Sequence, residues 1–319
     1  MGLTLADYAD SLDERDLIWP QVPAAEPVRA RPSTAPLPGI RIVLWDVYGT
    51  LLRIPDEGFT LFPEPEIRLQ VALEKTIHEF NMWNSMYRKP GPPWQSMIHQ
   101  YRDYAERLAM LGTKRRGDFT AVNAVHVWRA IIDRLFDKEY HYDEDVYGDV
   151  DALSEKVAYF FQSCLQATEA RADALRIMTH LSEIGLRQGL LGDGQIFTPI
   201  QLLRSLRKQG EVPPLRQWLP PEQQFLSYQM GIRAPSRSLF EFPVARLRQI
   251  GIAPDEILYV SSHLKTNLAP ARSAGMRTAL LAAEKNGLEA PADFIKDSHT
   301  RPDRLLTGID QITSIVGER

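Results

Sequence analysis

The fold is decided by the stretch Ile42-Val43-Leu44-Trp45-Asp46-Val47-Tyr48-Gly49-Thr50-Leu51-Leu52. An apolar run ends in a lone carboxylate, Asp46, and a Gly-Thr turn follows shortly after it. Uninterrupted apolar runs are typical of parallel strands that are buried on both faces. Open α/β sheets bind their ligands at the carboxyl ends of such strands. The pattern therefore predicts a buried strand that delivers Asp46 to a site.

The composition of the 319 residues is that of a soluble globular protein, with 44% hydrophobic and 24% charged residues. The net charge of -4 gives no indication of the clustered positive charge that binds nucleic acid or an anionic membrane. No run approaches the roughly 18 to 20 apolar residues of a membrane helix, and the acidic N-terminus argues against a signal peptide. The single cysteine, Cys164, lies in an apolar helical pattern, which favours a packed, inert thiol. We expect a cytoplasmic protein whose partner is a small molecule or another protein, and the sequence does not indicate an oligomeric state.

Prolines dominate residues 20–38, which predicts an extended linker or a strap laid over the surface. We assign residues 1–38 to a proline-rich N-terminal extension. Four apolar residues before the prolines are candidates to anchor it, namely Leu12, Leu17, Ile18 and Trp19.

Residues 57–169 have helical rather than strand periodicity. Apolar residues recur at near-helical spacing in four segments, 67–80, 98–108, 125–135 and 153–165. A segment of this length is too long for one crossover connection between neighbouring parallel strands. We interpret it as a helical cap inserted after the first strand.

From residue 170 onward, helices and short apolar strands alternate. The strand candidates are 188–191, 225–227, 257–260 and 278–281, and the helix candidates are 173–184, 198–209, 237–250 and 267–274. Gly185 is a good C-cap for the first of these helices. Such βαβ alternation predicts a doubly wound parallel sheet in a core of residues 39–56 and 170–319.

The motif Asp46-x-Tyr48-Gly49-Thr50, placed between a strand and a helical insertion, resembles the first loop of the haloacid dehalogenase (HAD) superfamily. The resemblance implies a HAD-like α/β fold with an inserted helical cap. It also implies that Asp46 is a nucleophile and that Thr50 matches the threonine of the same loop. Tyr48 stands where the phosphatases of the family carry a second aspartate as general acid/base. A tyrosine there is similar to the 2-haloacid dehalogenase branch, which attacks carbon without a metal.

The second loop of the family ends a strand with a serine or threonine that binds the anionic group of the substrate. Here the loop is residues 192–195, and Gly192 takes the place of the serine. Backbone N–H groups between Gly192 and Gly194 can bind an anion, which an inward-pointing Asp193 carboxylate would oppose. A tight strand-to-helix turn is the alternative interpretation.

The third loop, residues 231–240, resembles the family segment that places a lysine before a proline, but Ala234 occupies the lysine position. Arg233 and Arg237 are candidates to restore the positive charge, although a guanidinium on a different stem is not equivalent to the lysine. The alternative is that both arginines are solvated surface residues.

The fourth loop, residues 261–267, normally carries acids that bind magnesium. Ser262 and Asn267 replace those two aspartates, while Ser261 and Ser262 resemble the serine pair of the dehalogenase branch. Magnesium prefers carboxylate oxygens, so we expect no metal or other cofactor. His263 has no obvious carboxylate partner in the sequence, which favours a surface histidine over a base.

The predicted function is hydrolysis of a small anionic substrate, of haloacid or phosphate-ester type, through an ester on Asp46. Thr50, the turn at 192–194 and Ser262 would orient the substrate. An alternative is a degenerate HAD-like protein that binds a ligand or partner without catalysis, because the lysine and the metal-binding acids are missing. A magnesium-dependent phosphatase is the third interpretation.

Overall fold

A computed structural model describes residues 2–15, 17–85, 91–113 and 115–317. The strands are β1 (Ile42–Trp45), β2 (Leu52–Arg53), β3 (Phe119–Thr120), β4 (Glu169–Ala170), β5 (Arg187–Gly192), β6 (Gln224–Leu226), β7 (Ile232–Arg233), β8 (Ile257–Ser261), β9 (Arg277–Leu281) and β10 (Arg304–Leu306). In the described part of the chain, six strands form one sheet in the order β10-β9-β8-β1-β5-β6. All five neighbouring pairs of this sheet are parallel.

The helices alternate with these strands. They are α1 (Leu5–Asp13), α2 (Ile67–Glu79), α3 (Pro93–Leu111), α4 (Ala124–Phe136), α5 (Glu144–Tyr147), α6 (Val150–Leu165), α7 (Ala174–Glu183), α8 (Thr198–Arg207), α9 (Leu215–Trp218), α10 (Ser227–Met230), α11 (Arg237–Arg248), α12 (Ala269–Ser273), α13 (Ala292–Lys296) and α14 (Ile312–Val316). A π-helical turn, Leu264–Leu268, precedes α12. None of the helices in the described ranges is long and apolar enough to cross a membrane.

Helices cover both faces of the sheet because successive side chains of a strand point to opposite faces. On one face, Val43 and Trp45 of β1 pack in a hydrophobic cluster with α7 and α8. On the other face, Ile42 and Leu44 pack with α11 and α12. The predicted α/β class with a doubly wound parallel sheet is therefore confirmed.

The helices between Ile67 and Leu165 form a separate layer, inserted in the chain between β1 and β5. Their buried side chains make a cluster of their own, in which the rings of Tyr101, Trp128 and Phe161 pack together. The chain enters and leaves this layer through the antiparallel pair β2–β4, and β3 pairs with β7 of the third loop. The layer is thus tied to the sheet beside the predicted site.

The N-terminal residues contact both the helical layer and the sheet. Helix α1 begins at a capping box of Thr4 and Asp7, and it buries Leu12 among the helices of the layer. Of the predicted anchors, Trp19 packs edge-on against Phe160, whereas Ile18 is 83% exposed. Further along, the backbone N–H groups of Ser33 and Leu37 donate to Leu305 and Ile315 of the core. The proline-rich segment is extended over the surface.

The predicted elements differ from the observed ones mainly at their ends. The strand predicted at 225–227 ends at Leu226 because Ser227 begins α10 and hydrogen-bonds with Gly194. The helix predicted at 267–274 begins in a π-helical turn, which turns Asn267 toward Asp46. Such turns are frequent at functional sites. The edge strand β10 was not predicted, because three residues are too short for a clear period.

Candidate active site

Asp46 follows β1 and points into the protein at the carboxyl end of the sheet. Its backbone N–H donates to Val260 at 3.0 Å, so the residue still belongs to the hydrogen-bonded frame of the sheet. The residue is 3% exposed. Within the described residues, three side chains of the fourth loop donate to the same oxygen, Oδ2: Ser261 Oγ at 2.7 Å, His263 Nδ1 at 2.9 Å and Asn267 Nδ2 at 3.0 Å. Oδ1 receives none of these bonds and faces Gly192.

His263 is buried and lies between two hydrogen-bond acceptors. Its Nδ1 contacts the Asp46 carboxylate, and its Nε2 contacts the backbone carbonyl of Glu57. With Asp46 ionised, neither partner can donate, and both contacts are then hydrogen bonds only when the ring carries two protons and a positive charge. Burial lowers the pKa of His263, but the hydrogen bond and the charge of Asp46 outweigh it, and the pKa is raised above its usual value. The interpretation as a surface histidine is wrong, because His263 is buried against Asp46, and the raised pKa favours its charged form.

Gly192 is required by the close approach of β5 to Asp46. Its φ of +137° is in a region that residues with a side chain rarely adopt, and a Cβ here would lie 2.9 Å from Asp46 Oδ1. A serine at this position would therefore strain the backbone and overlap the carboxylate. The glycine in the place of the family's serine is coupled to the position of Asp46.

The backbone N–H groups of the second loop are used within the protein. The N–H of Gly194 donates to Ser227 Oγ at 3.1 Å, and the N–H of Gln195 donates to Thr198 Oγ1 at 2.8 Å. These bonds correspond to the tight strand-to-helix turn, the alternative interpretation of this loop. The predicted anion cradle is not supported at Gly194.

Asp193 lies beside Gly192, and its carboxylate lines the same cavity as Asp46. Its Oδ1 accepts a hydrogen bond from the backbone N–H of Ala234 at 3.0 Å. Burial raises the pKa of Asp193 to about 6, and the charge of Asp46 acts in the same direction. An acidic group thus occupies the loop that the resemblance assigns to anion binding.

The two arginines of the third loop have different surroundings. Arg233 lines the cavity, with its guanidinium carbon 5.7 Å from the ring centre of Phe119. Arg237 is 76% exposed and pairs with Glu241 at 2.6 Å, one turn along α11. The structure does not bring Arg237 to the cavity, because this side chain lies on the solvent-facing side of the helix.

Tyr48 and Thr50 support the first loop rather than contacting the carboxylate. The Tyr48 hydroxyl is buried, donates to Gln201 Oε1 at 2.7 Å and lies 3.0 Å from Thr198 Oγ1. Burial raises the pKa of Tyr48, so its hydroxyl stays neutral. Thr50 Oγ1 accepts a hydrogen bond from the backbone N–H of Ser262 at 2.9 Å. Tyr48 thus anchors the loop to α8, and Thr50 anchors it to the fourth loop.

Arg171 is a buried residue of the site that was not predicted from the sequence. It follows β4, and its guanidinium donates to the backbone carbonyls of Thr50 and Gly49, both at 2.8 Å. It also pairs with the buried Glu284 at 3.0 Å. An isolated arginine carries no signal in the sequence, because only the fold brings it to the first loop.

The cavity in front of Asp46 measures about 200 Å³, which suits a small molecule. It is lined by Asp46, Tyr48, Glu57, Gly58, Phe59, Asp193, Arg233, Ala234, His263, Thr266, Asn267 and Glu289. Four of these side chains are carboxylates and two are cationic. One cation, His263, is already paired with Asp46. Arg233 is therefore the cationic lining residue that can meet an incoming anion.

The donor set does not fit the magnesium ion of the phosphatases. Ser262 and Asn267 stand where the two aspartates would be, and the Asn267 amide donates to Asp46 Oδ2 instead of providing a carboxylate oxygen. In the described ranges, no group of three or more His, Cys, Asp or Glu side chains is arranged to hold a metal ion. Magnesium requires near-octahedral oxygen ligands.

Cys164 lies in α6, where it is buried. Burial raises the pKa of its thiol to about 12. The neutral thiol is a poor nucleophile.

No protein-family model and no curated protein matches the chain. Among solved structures, a 2-haloacid dehalogenase from Pseudomonas syringae is similar over 86% of this chain and 96% of its own, with 14% identity and a TM-score of 0.49. A dehalogenase with an intermediate complex covers 88% and 98%, with 14% identity and a TM-score of 0.46. A CbbY protein from Rhodobacter sphaeroides in complex with a xylulose bisphosphate covers 84% and 94%, with 15% identity and a TM-score of 0.42. At such TM-scores, these likenesses do not decide activity, substrate or site chemistry.

The architecture agrees with the arrangement that the resemblance of the first loop implies. Asp46 ends a central strand of a parallel sheet, and the helical layer is inserted after that strand. The second and fourth loops follow the two strands on either side of β1, which are β5 and β8. Of the candidate residues on the second, third and fourth loops, the structure brings Asp193, Arg233 and the fourth loop to the cavity of Asp46, but not Arg237.

Proposed function

We propose that this chain is a HAD-like hydrolase that acts without a metal, through an ester on Asp46. The observation that carries the proposal is the arrangement of the carboxylate: Ser261, His263 and Asn267 donate to Oδ2, while Oδ1 faces the second loop beside the cavity. This arrangement separates the oxygen that would attack from the oxygen that is held in place.

In the first step, Oδ1 of Asp46 attacks an electrophilic carbon and displaces the leaving group. The carboxylate must approach the carbon in line with the bond that breaks, and its fixed orientation lowers the entropy cost of that approach. Arg233 would bind the anionic group of the substrate, because its guanidinium lines the cavity and has no carboxylate partner within ion-pair distance among the described residues. The Tyr48 and Phe59 rings, 4.9 Å apart, would contact the apolar part of the substrate.

In the second step, water attacks Cγ of the ester, and negative charge develops on Oδ2. The three donors already directed at Oδ2 then act as an oxyanion hole, and the positive charge of His263 strengthens it. Each preorganised donor of this kind contributes about 100- to 1,000-fold in rate. His263 would thus replace the electrostatic role of the missing lysine.

The charges of the cavity favour a 2-haloacid-type substrate over a phosphate monoester. A carboxylate substrate brings one negative charge into a cavity with four carboxylates and two cations, whereas a phosphate monoester brings about two near neutral pH. An oxyanion hole on Oδ2 also assists attack at Cγ of a carbon ester. It gives no comparable help when water attacks phosphorus.

A non-catalytic role as a ligand-binding protein is the second candidate. It is favoured by the second loop, where the N–H groups of Gly194 and Gln195 are occupied and Asp193 adds negative charge. In that case the cavity would bind a small molecule without forming an ester.

Single turnover in ¹⁸O-labelled water tests the proposal, with racemic 2-chloropropionate and p-nitrophenyl phosphate as probes and enzyme in excess. For a carbon ester, we expect the label in the Asp46 side chain and unlabelled oxygen in the first product. Attack at phosphorus would instead label the released phosphate directly. We expect Asp46→Asn to lower activity at least about 1,000-fold and EDTA to leave it unchanged.

Turnover that depends on added magnesium would contradict the metal-independent mechanism. If neither probe is converted while 2-chloropropionate raises the melting temperature of the wild type but not of Arg233→Ala, the ligand-binding role is supported instead.

A further inference from the structure

Asp193 is a carboxylate in the cavity that the two steps proposed above leave without a role. Its Oδ1 accepts the hydrogen bond from Ala234, which sets the direction of the group. Among the described residues, this carboxylate has no ion pair within 4 Å and no second hydrogen bond, so Oδ2 remains for a water molecule. Gly192 lies against Oδ1 of Asp46, and Asp193 is the next residue in the chain. The second loop therefore brings the two carboxylates to the same end of the sheet.

Of the other titratable groups that line the cavity, Glu57 is exposed, and His263, Tyr48 and Glu289 make other bonds. Both ring nitrogens of His263 donate hydrogen bonds, and the Tyr48 hydroxyl is held by α8. Oε2 of Glu289 accepts from the backbone and the hydroxyl of Thr266, at 2.8 and 2.7 Å. Asp193 is half-buried beside Gly192, which contacts Asp46, and its Oδ2 has no hydrogen-bond partner among the described residues, so it can accept a proton from water.

We propose that Asp193 is the general base of the hydrolytic step, an inference that rests on the proposed function. Asp193 takes a proton from water as the water oxygen bonds to Cγ of the Asp46 ester. The bond between Cγ and the ester oxygen then breaks, and the alkoxide leaves as an alcohol with the proton that Asp193 held. Asp46 loses its own proton to solvent, so both carboxylates end the cycle ionised.

The acidity of the group suits this role. Burial raises the pKa of Asp193 to about 6, so the carboxylate is ionised near pH 7 and is a stronger base than an exposed aspartate. Asp193 directly follows Gly192, which contacts Asp46. A role as base would account for a carboxylate in the loop where an anion-binding residue was expected. A base near Cγ is needed only after the ester has formed.

Asp193→Asn tests the inference with racemic 2-chloropropionate as the probe. We expect the variant to form the ester at a rate within about threefold of the wild type and to hydrolyse it at least about 100-fold more slowly. Intact-protein mass spectrometry of the Asp193→Asn protein should then show the ester on Asp46 during turnover. Hydroxylamine should release this ester. In the wild type, the hydrolysis rate should rise with pH to a plateau with a midpoint near the pKa of Asp193, and this rise should be absent in the variant.

Asp255→Asn, an exposed aspartate at the amino end of β8, is the matched control and should show no adduct. If the wild type converts the probe and Asp193→Asn hydrolyses its ester at the normal rate, the inference is wrong while the proposed function stands. Equal losses in ester formation and hydrolysis would also overturn it, because Asp193 would then act in binding. If the wild type forms neither adduct nor product with the probe, the proposed function fails for this substrate class, and the base assignment fails with it.

Discussion

The first and fourth loops hold Asp46 through buried side chains, whereas the second and third loops face it with sparse contacts. On one side, Ser261, His263 and Asn267 all donate to Oδ2. On the other side lie a glycine, a carboxylate with a backbone N–H as its partner, and an exposed arginine. The difference indicates that one half of the site fixes the position of the carboxylate, and under the proposed function the other half meets substrate and water.

His263→Gln should have the largest effect and tests the fixed half. Glutamine can keep one hydrogen bond but not the positive charge, so we expect kcat for 2-chloropropionate to fall about 100-fold with a smaller change in KM. Steady-state kinetics measure this, and His299→Gln, which replaces an exposed histidine, is the control. If kcat were unchanged, His263 would not replace the cation of the family.

Gly192→Ala should be the next largest effect and tests the boundary between the two halves. The positive φ and the overlap of Cβ with Asp46 Oδ1 predict a loss of about 2 kcal/mol in the free energy of unfolding. Gly39→Ala is a matched control, because Gly39 also has a positive φ, +85°, but a Cβ there meets nothing within 4 Å. Chemical denaturation of both variants separates the cost of φ from that of the contact. Equal losses would show that Asp46 does not require the glycine.

Arg233→Ala should have a moderate effect and tests the open half. Loss of a partly solvated cation that binds the substrate predicts an increase in KM of about 10-fold, with little change in kcat. Arg237→Ala should change neither value, because that side chain pairs with Glu241 outside the cavity. The reverse ranking of the two variants would show that the third loop rearranges when substrate binds.

The pH dependence of stability should be the smallest effect, and it differs between the two halves. For Asp193, the folded pKa of about 6 lies above the unfolded value of about 3.9. The contribution of protonated Asp193 to the free energy of unfolding is therefore complete below about pH 3.9 and is lost as the pH rises through about 6. For His263, the folded pKa is also raised, so its contribution is present below the unfolded value of about 6.5 and lost at higher pH.

We expect the melting temperature of the wild type relative to Asp193→Asn to fall by a few degrees between about pH 4 and 6. Relative to His263→Gln it should fall only above about pH 6.5. Differential scanning fluorimetry across this range measures both differences. If both differences in melting temperature changed over the same pH range, Asp193 and His263 would titrate together as one coupled system.

The sequence indicated the elements with a strong period and the residues at their ends. The apolar run before Asp46 and the βαβ alternation after residue 170 predicted the sheet, and the strands were located to within about two residues. The short strands β2, β4 and β10 were not predicted, because two or three residues carry no measurable period. Burial was predicted correctly where it follows from apolar periodicity, and missed where it is due to a polar residue such as His263.

The sequence by itself determined the sheet, the helical insertion and the candidate nucleophile, because each depends on local pattern: strand and helix periods, and an acid at the end of an apolar run. Only the tertiary structure decided which partners surround that acid. His263 lies 217 positions from Asp46 in the chain, and Arg171 lies more than 120 positions from the carbonyls that it contacts. The parallel pairing of β1 with β8 brings His263 to Asp46, and the antiparallel pairing of β2 with β4 brings Arg171 to the first loop. No local signal could have distinguished a charged, buried His263 from a histidine at the surface.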